Sequence, residues 1–278
     1  MQLTVLGNAG TFPGAGSPCS GYLVEHNGFR LVLDLGAGVL GNLQRHCGLL
    51  DIDAIYISHL HADHCIDLLA YSYALRYHPA GLPPVLPVYG PEGTKARIEA
   101  SYETPPVDGL MDVFDFIEAG SRVLQIGPFT VTVAVVNHPV ECHGLRIEVG
   151  GKVLTYSADT GVSDVLVDLA RGADLFLCEA SWPSAPTPPP DIHLTGREAG
   201  THATQAGAKR MLLTHLMPFH DPQAMLAEAK ETYDGVLELA RVGLTYRVWA
   251  GVRSPPPRAG ACTDAGWAVP LPPSRGWG

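Results

Sequence analysis

Four side chains that can ligate a cation fall within six residues, His59-Leu60-His61-Ala62-Asp63-His64. Imidazole and carboxylate at this density suit borderline divalent ions such as zinc. The run follows a strand-like apolar stretch, Ala54-Ile55-Tyr56-Ile57. In an extended segment residues two apart point to the same side, so His59 and His61 can converge on one ion. Asp63 and His64 lie past the turn and can face a neighbouring ion. A polar loop that merely happens to carry three histidines is the rival reading, and burying so many unpaired polar groups would be costly.

Three further ligand types end apolar runs. His138 follows Val133-Ala134-Val135-Val136-Asn137, Asp159 sits in Ser157-Ala158-Asp159-Thr160-Gly161, and His215 follows Met211-Leu212-Leu213-Thr214. Each alone is a weak signal, since a lone strand-end histidine is usually structural. Together with the first cluster they make seven ligands, the number that two metals sharing one carboxylate and a water require.

The elements that must position these groups are legible from periodicity and punctuation. Strands are expected at Leu3 to Leu6, Gly21 to Glu25, Arg30 to Leu35, Ala54 to Ser58 and Val85 to Tyr89, then at Val113 to Phe116, Phe129 to Val136, Gly144 to Val149 and Lys152 to Tyr156. Helical spacing is expected over Ile66 to Tyr77 and Glu92 to Tyr102. The second half continues with helices at Ser163 to Ala170, Thr195 to Ala206 and Pro222 to Glu231. Its strands are expected at Leu175 to Glu179, Arg210 to Thr214, Val236 to Leu239 and Thr245 to Val248. Strands mixed with helices in two comparable halves predict two sheets packed face to face, with helices outside. Pro183 to Pro190, with five prolines in eight residues, reads as a stiff loop. The Pro/Gly-rich stretch from 253 to 278 reads as a disordered tail after a folded domain over 1–252.

Bulk properties narrow the class of protein. A chain of 278 residues that is 46% hydrophobic and 17% charged is globular, with a substantial core. No apolar run approaches about 18 residues, and strand-like sequence starts at Leu3, so neither a signal peptide nor a membrane span is expected and a cytoplasmic location is. A net charge of −10 argues against tracking an extended nucleic-acid backbone, which normally leaves a basic footprint. The six cysteines are scattered without CxxC pairs, which points to free thiols in a reducing compartment. Cys65 follows His64 directly, and is expected to be a core residue at a helix start.

In order and spacing, the HxHxDH at 59–64, His138, the Asp159 of SADT and the His215 of LLTHL are similar to the metal motifs of the metallo-β-lactamase superfamily, and within it to ribonuclease Z-like phosphodiesterases. The resemblance covers roughly residues 1 to 250. It implies an α/β fold, the αβ/βα four-layer sandwich, and two divalent ions, with zinc expected and manganese the alternative. His59, His61 and His138 would hold one ion, Asp63, His64 and His215 the other, with Asp159 bridging. Asp34, in LDLGAG, would brace the metal loop. The stretch Asp191-Ile192-His193-Leu194-Thr195 looks like the phosphodiesterase branch's His-Ser/Thr motif, loosened by Leu194, and makes His193 the implied proton donor. The rival reading is an exposed histidine beside a helix cap.

One departure matters. Ribonuclease Z proper grips transfer RNA with a long arm, commonly inserted between the strand-end histidine and the bridging aspartate. Here those residues, His138 and Asp159, are 21 positions apart and joined by two strands, so transfer-RNA processing is not expected. The stretches SHLHADHCIDL, RYHP and LFLCEASW most resemble actinobacterial members that degrade cyclic nucleotides. The implied activity is hydrolysis of a phosphodiester, such as that of a 3′,5′-cyclic nucleotide, by a metal-bound hydroxide, with Asp63 orienting it and His193 protonating the leaving oxygen. An RNA 3′-end endonuclease and a lactone, thioester or β-lactam hydrolase are the alternatives. The resemblance also suggests a homodimer.

For the base, Tyr73, Arg76, Tyr77 and His78 end the helix after the metal run and could stack on it or pair with phosphate. Tyr73 reads equally well as core, and Arg76 as a solvated helix-end charge. His143, five residues beyond His138, is a further candidate for the pocket. His26, His46, His202 and His220 read as structural or exposed.

Overall fold

The computed structural model describes residues 1–102, 109–186 and 189–248, so the expected tail lies outside the described residues. Six strands of the first half are β1 (Gln2–Gly7), β2 (Gly21–His26), β3 (Phe29–Leu33), β4 (Ala54–Tyr56), β5 (Leu86–Gly90) and β6 (Phe114–Glu118). The next seven are β7 (Val123–Ile126), β8 (Phe129–Val135), β9 (His143–Val149), β10 (Lys152–Tyr156), β11 (Leu175–Glu179), β12 (Arg210–Thr214) and β13 (Val236–Leu239). The last strand, β14 (Thr245–Arg247), crosses back to the first sheet and pairs antiparallel with β1, Leu3 opposite Tyr246.

Two seven-stranded sheets result, ordered β14-β1-β2-β3-β4-β5-β6 and β13-β12-β11-β10-β9-β8-β7. Each is built alike. Antiparallel pairing runs through β14, β1, β2 and β3 in one and through β7, β8, β9 and β10 in the other. Parallel pairing then runs from β3 to β6 and from β10 to β13. The parallel strands need crossovers, and those supply the helices α1 (Val39–Leu43), α2 (Ala62–Cys65), α3 (Asp67–Arg76), α4 (Thr94–Glu99), α5 (Asp164–Leu169), α6 (Gly196–Ala206) and α7 (Pro222–Lys230).

Alternation within single strands builds the layers. Leu31 and Leu33 of β3 join Tyr22 and Val24 in the core between the sheets, against Phe129, Val131 and Tyr156. Val32, one residue out of phase, joins Leu23, Ile55 and the helix residues Val39, Leu68 and Tyr71 on the outer face. Helix, sheet, sheet and helix thus stack in four layers, the metallo-β-lactamase fold. No helix among the described residues is long and apolar enough to cross a membrane.

The expected strands and long helices are present with shifts of a few residues at their ends. Sequence periodicity did not reveal β7, an edge strand with exposed Val123, or the five-residue α1, which starts after Gly38 at φ 88°.

Candidate metal centre

Polar residues gather where parallel strands end. Asp34 follows β3, the histidine run follows β4, Asp159 follows β10, Glu179 ends β11 and His215 follows β12; His138 comes in from the end of antiparallel β8. Backbone groups freed at such ends point away from the sheet, and side chains there can converge without disturbing the core. Three of these residues or their neighbours, Asp34 (φ 59°), Ala158 (φ 52°) and His215 (φ 52°), are held in the left-handed region, which costs about 1–3 kcal/mol each for a non-glycine residue.

All seven expected ligands come together. Ligand atoms of His59, His61, His138 and Asp159 lie within 4.8 Å of one another, as do those of Asp63, His64, Asp159 and His215. Asp159 belongs to both groups. Its Oδ2 is 3.6 Å from His59 Nε2 and 3.3 Å from His215 Nε2, and its Oδ1 is 3.3 Å from His64 Nε2. Asp63 Oδ2 lies 3.5 Å from His64 Nε2 and 3.3 Å from His215 Nε2, and accepts a 2.8 Å hydrogen bond from Thr11 N. Asp63 and His64 reach this position because α2 turns the chain immediately after His61.

The outer ring nitrogens are occupied. His64 Nδ1 is 2.8 Å from Asp34 Oδ2, His138 Nδ1 2.9 Å from Ile192 O, His215 Nδ1 2.8 Å from Ser181 Oγ and His59 Nδ1 3.1 Å from Ser58 Oγ. Such partners fix ring orientation and tautomer, leaving the Nε2 lone pair directed inward. His61 is the exception: it turns Nδ1 inward, 3.0 Å from His59 Nε2 and 3.3 Å from His138 Nε2, and is exposed on its other side.

Asp34 sits behind the metal loop. It is wholly buried and accepts hydrogen bonds from Ser58 N, Ser58 Oγ and Tyr156 OH as well as facing His64. Gly36 closes the clamp: a Cβ there would stand 1.9 Å from Asp63 O, so only glycine lets the two backbones approach.

The electrostatics fit a cation-binding site. Burial and the neighbouring His64 charge push His59 well below the ordinary histidine value, and burial lowers His61 and His138. Burial also disfavours charge on His64, but Asp159 and Asp34 outweigh it and raise His64 well above that value. Burial would raise Asp159, yet His215, His64 and His59 hold it well below the carboxylate range. His64 Nε2 and Asp159 Oδ1 are both buried without a hydrogen-bond partner, a costly arrangement unless something is coordinated between them. Five imidazoles and two carboxylates so placed suit two borderline divalent ions.

His193 is 10% exposed, which excludes the exposed-cap reading. Buried Leu194 anchors in the core, and the residues on either side of it serve the site and the helix. Thr195 caps α6 in a capping box with Glu198, while His193 faces the cluster, its ring 5.6 Å from His138 and 5.1 Å from His215. Its Nδ1 is 3.1 Å from Glu179 Oε1. Burial opposes protonation here, but Glu179 and then Asp159 raise the imidazole to about 9.

Glu179 and Ser181 went unnoticed in the sequence. Fully buried Glu179 also accepts from Thr160 N at 2.6 Å and from Ser181 Oγ at 2.8 Å. The signal was present: a carboxylate closing the apolar run Leu175-Phe176-Leu177-Cys178 obeys the same strand-end pattern as the ligands.

The base-binding candidates fare differently. His143 is wholly buried, with Nδ1 2.9 Å from Tyr56 OH and Nε2 2.8 Å from Glu141 Oε1, so it leaves no surface for a substrate. Tyr77 is 64% exposed and stacks on Tyr73 at 6.2 Å; among the described residues no contact joins it or Arg76 to the cluster. Cys65 packs in the outer apolar layer, its thiol donating to His61 O.

The beta-lactamase superfamily domain matches residues 29–216. An uncharacterized protein of Mycobacterium tuberculosis is 43% identical over 255 residues, covering 89% of this chain and 92% of that protein. The probable metallo-hydrolase YhfI of Bacillus subtilis is 30% identical over 253 residues, 90% of this chain and all of that one. Its crystal structure superposes with a TM-score of 0.79 at 29% identity, covering 88% of this chain and 99% of the other. Human tRNase Z, short form, shares the fold at a TM-score of 0.69 and 22% identity, covering 89% and 99%. The extent of the domain match and the two full-length relatives show that this chain belongs to the beta-lactamase superfamily, as one of its metallo-hydrolases.

Proposed function

We propose that the protein is a two-metal phosphodiesterase acting on a 3′,5′-cyclic nucleotide such as cyclic AMP. The observation that carries the reading is His193, which stands outside both four-residue ligand groups yet faces them, with Nδ1 committed to buried Glu179. That leaves Nε2 to give a proton to a departing alkoxide, with the Glu179 carboxylate favouring the protonated ring.

His59, His61, His138 and Asp159 would hold one ion; Asp63, His64, His215 and Asp159 would hold the other. Bound there, the ions would polarise phosphoryl oxygens and lower the pKa of a shared water. Asp63, fixed by Thr11 N, would orient the nucleophile that the ions supply, and His193 would protonate the leaving oxygen. Opening a cyclic ester in this way yields a nucleoside monophosphate as sole product.

A small substrate is supported by the short connection between His138 and Asp159, which β9 and β10 fill without an arm, and by the net charge of −10. The same reading takes the protein to be cytoplasmic and homodimeric. The test is to offer metal-loaded protein cyclic AMP, cyclic GMP, a precursor transfer RNA and a chromogenic β-lactam side by side. Hydrolysis of a cyclic nucleotide is expected; cleavage of only the transfer RNA or only the β-lactam would replace this reading with one of its alternatives.

A further inference from the structure

A cavity of about 440 Å³ adjoins the metal centre, lined by Thr11, Phe12, Trp182, Met217, Phe219 and His220. That volume falls within the range of about 300–1,000 Å³ usual for small-molecule sites. Three loops form its walls, those after β1, β11 and β12, and each is tied to the ligands. In the loop after β1, Thr11 N binds Asp63, and Gly10 packs so closely on His215 that a Cβ would stand 2.9 Å from His215 Nδ1. The loops after β1 and β12 are stitched together by Gly10 N to Leu216 O and Leu216 N to Asn8 O. Trp182 follows Ser181, whose hydroxyl meets His215 Nδ1.

The lining is apolar and aromatic. Phe12 and Phe219 pack at 4.7 Å, and Trp182 and His220 at 5.3 Å. Phe219 is 79% exposed, a placement that costs burial of a large ring and gains nothing from the core. None of the six residues carries a fixed charge, so the cavity does not suit the phosphate; it suits a flat neutral ring carried next to one.

We propose that this cavity binds the nucleobase, stacked against Phe12 and Phe219, while the phosphate lies on the metal centre. The inference rests on the phosphodiesterase reading for the identity of the ligand, and moves base recognition from Arg76, Tyr77 and His143 to the loops after β1 and β12. Base stacking on aromatic side chains is sequence-tolerant, so it would select for a base without strongly selecting which one.

The test compares wild type, Phe219→Ala, Phe12→Ala and the restoring Phe219→Trp. Two measurements are made. The first is adenosine binding to the metal-free protein by isothermal titration. The second is the ratio of KM for a base-free methyl riboside 3′,5′-cyclic phosphate to KM for cyclic AMP, on metal-loaded protein. Each alanine variant is expected to weaken adenosine binding about tenfold and to lower the KM ratio about tenfold, with Phe219→Trp restoring both. Equal adenosine affinity in all four proteins, or a KM ratio near one in wild type, would overturn the proposal while leaving the phosphodiesterase reading intact. Adenosine bound in a Phe219-dependent way by a protein that cleaves no cyclic nucleotide would instead sink that reading and leave an aromatic ring site standing.

Discussion

Glu179 Oε1 and His193 Nδ1 face each other at 3.1 Å across the end of β11, with the carboxylate wholly buried and the imidazole nearly so. The pair lies at the edge of the ligand cluster, and in the metal-free protein the carboxylate holds the His193 imidazole well above its ordinary value.

Glu179→Gln removes the charge while keeping an amide of the same shape. In metal-free protein, NMR titration should find His193 near 9 in wild type and back toward the ordinary value of about 6.5 in the variant. Because folding raises this pKa, the pair's contribution to stability is complete below about pH 6.5 and is lost as pH rises through about 9. The stability gap between wild type and Glu179→Gln should therefore close on the alkaline side. Bound cations draw the His193 value down, so the metal-free protein is the one to titrate. An unchanged His193 titration in the variant would show that Glu179 is not the cause.

Ligands and acid should separate kinetically. Asp63→Ala and His64→Ala should abolish turnover together with metal binding. His193→Ala should cost about 10²–10⁴ in kcat with metal content retained, read by elemental analysis of the same preparations. Near-normal activity in either ligand variant would remove the two-metal reading.

Asp34 makes no expected contact with metal, yet its loss should be felt there. Asp34→Ala strands Ser58 N, Ser58 Oγ, Tyr156 OH and His64 Nδ1 in the core. Removing one partner from such a buried charged network costs about 3–5 kcal/mol, visible in chemical denaturation. Metal affinity should fall about 10–100-fold, measured by competition with a chromophoric chelator.

Stripping the metals should lower thermal stability by itself. Six ligand residues are crowded around the Asp159 carboxylate, and ions that bind only this arrangement stabilise it by about 4 kcal/mol at a thousand times Kd. Calorimetry before and after dialysis against a chelator should show a fall in Tm that added zinc reverses. Identical melts would mean that the cluster does not bind metal tightly.

The seven ligand residues were legible by local rules, four by their density within six residues and three as polar residues that end apolar runs. Of the supporting shell only Asp34 was legible, through the family resemblance; the other contacts are made by the fold, as where Glu179 meets His193 and where His143 finds Tyr56 once β9 pairs into its sheet. Spacing made His143 look like a pocket residue, since five positions from His138 says nothing about which side of the sheet it faces. The aromatic cavity was invisible for a similar reason. Phe12 and Phe219 are 207 positions apart and read singly as loop residues; only the stitching of Asn8 and Gly10 to Leu216 brings them into contact. Elements without strong periodicity, β7 and α1, were missed on the same principle: a short edge strand and a five-residue helix hold too few core positions to show a period.

The pairing of β14 with β1 sets a schedule for how the molecule is made. Gln2, Leu3 and Thr4 wait for Arg247, Tyr246 and Thr245, so one edge of the first sheet stays open until almost the whole described chain has been synthesised. Closing that edge demands the longest loop in the fold, and such non-local pairings are the slow ones. Until β14 arrives, β1 is paired on one side only, with β2, and the step that completes the sheet is also the one that covers this open edge.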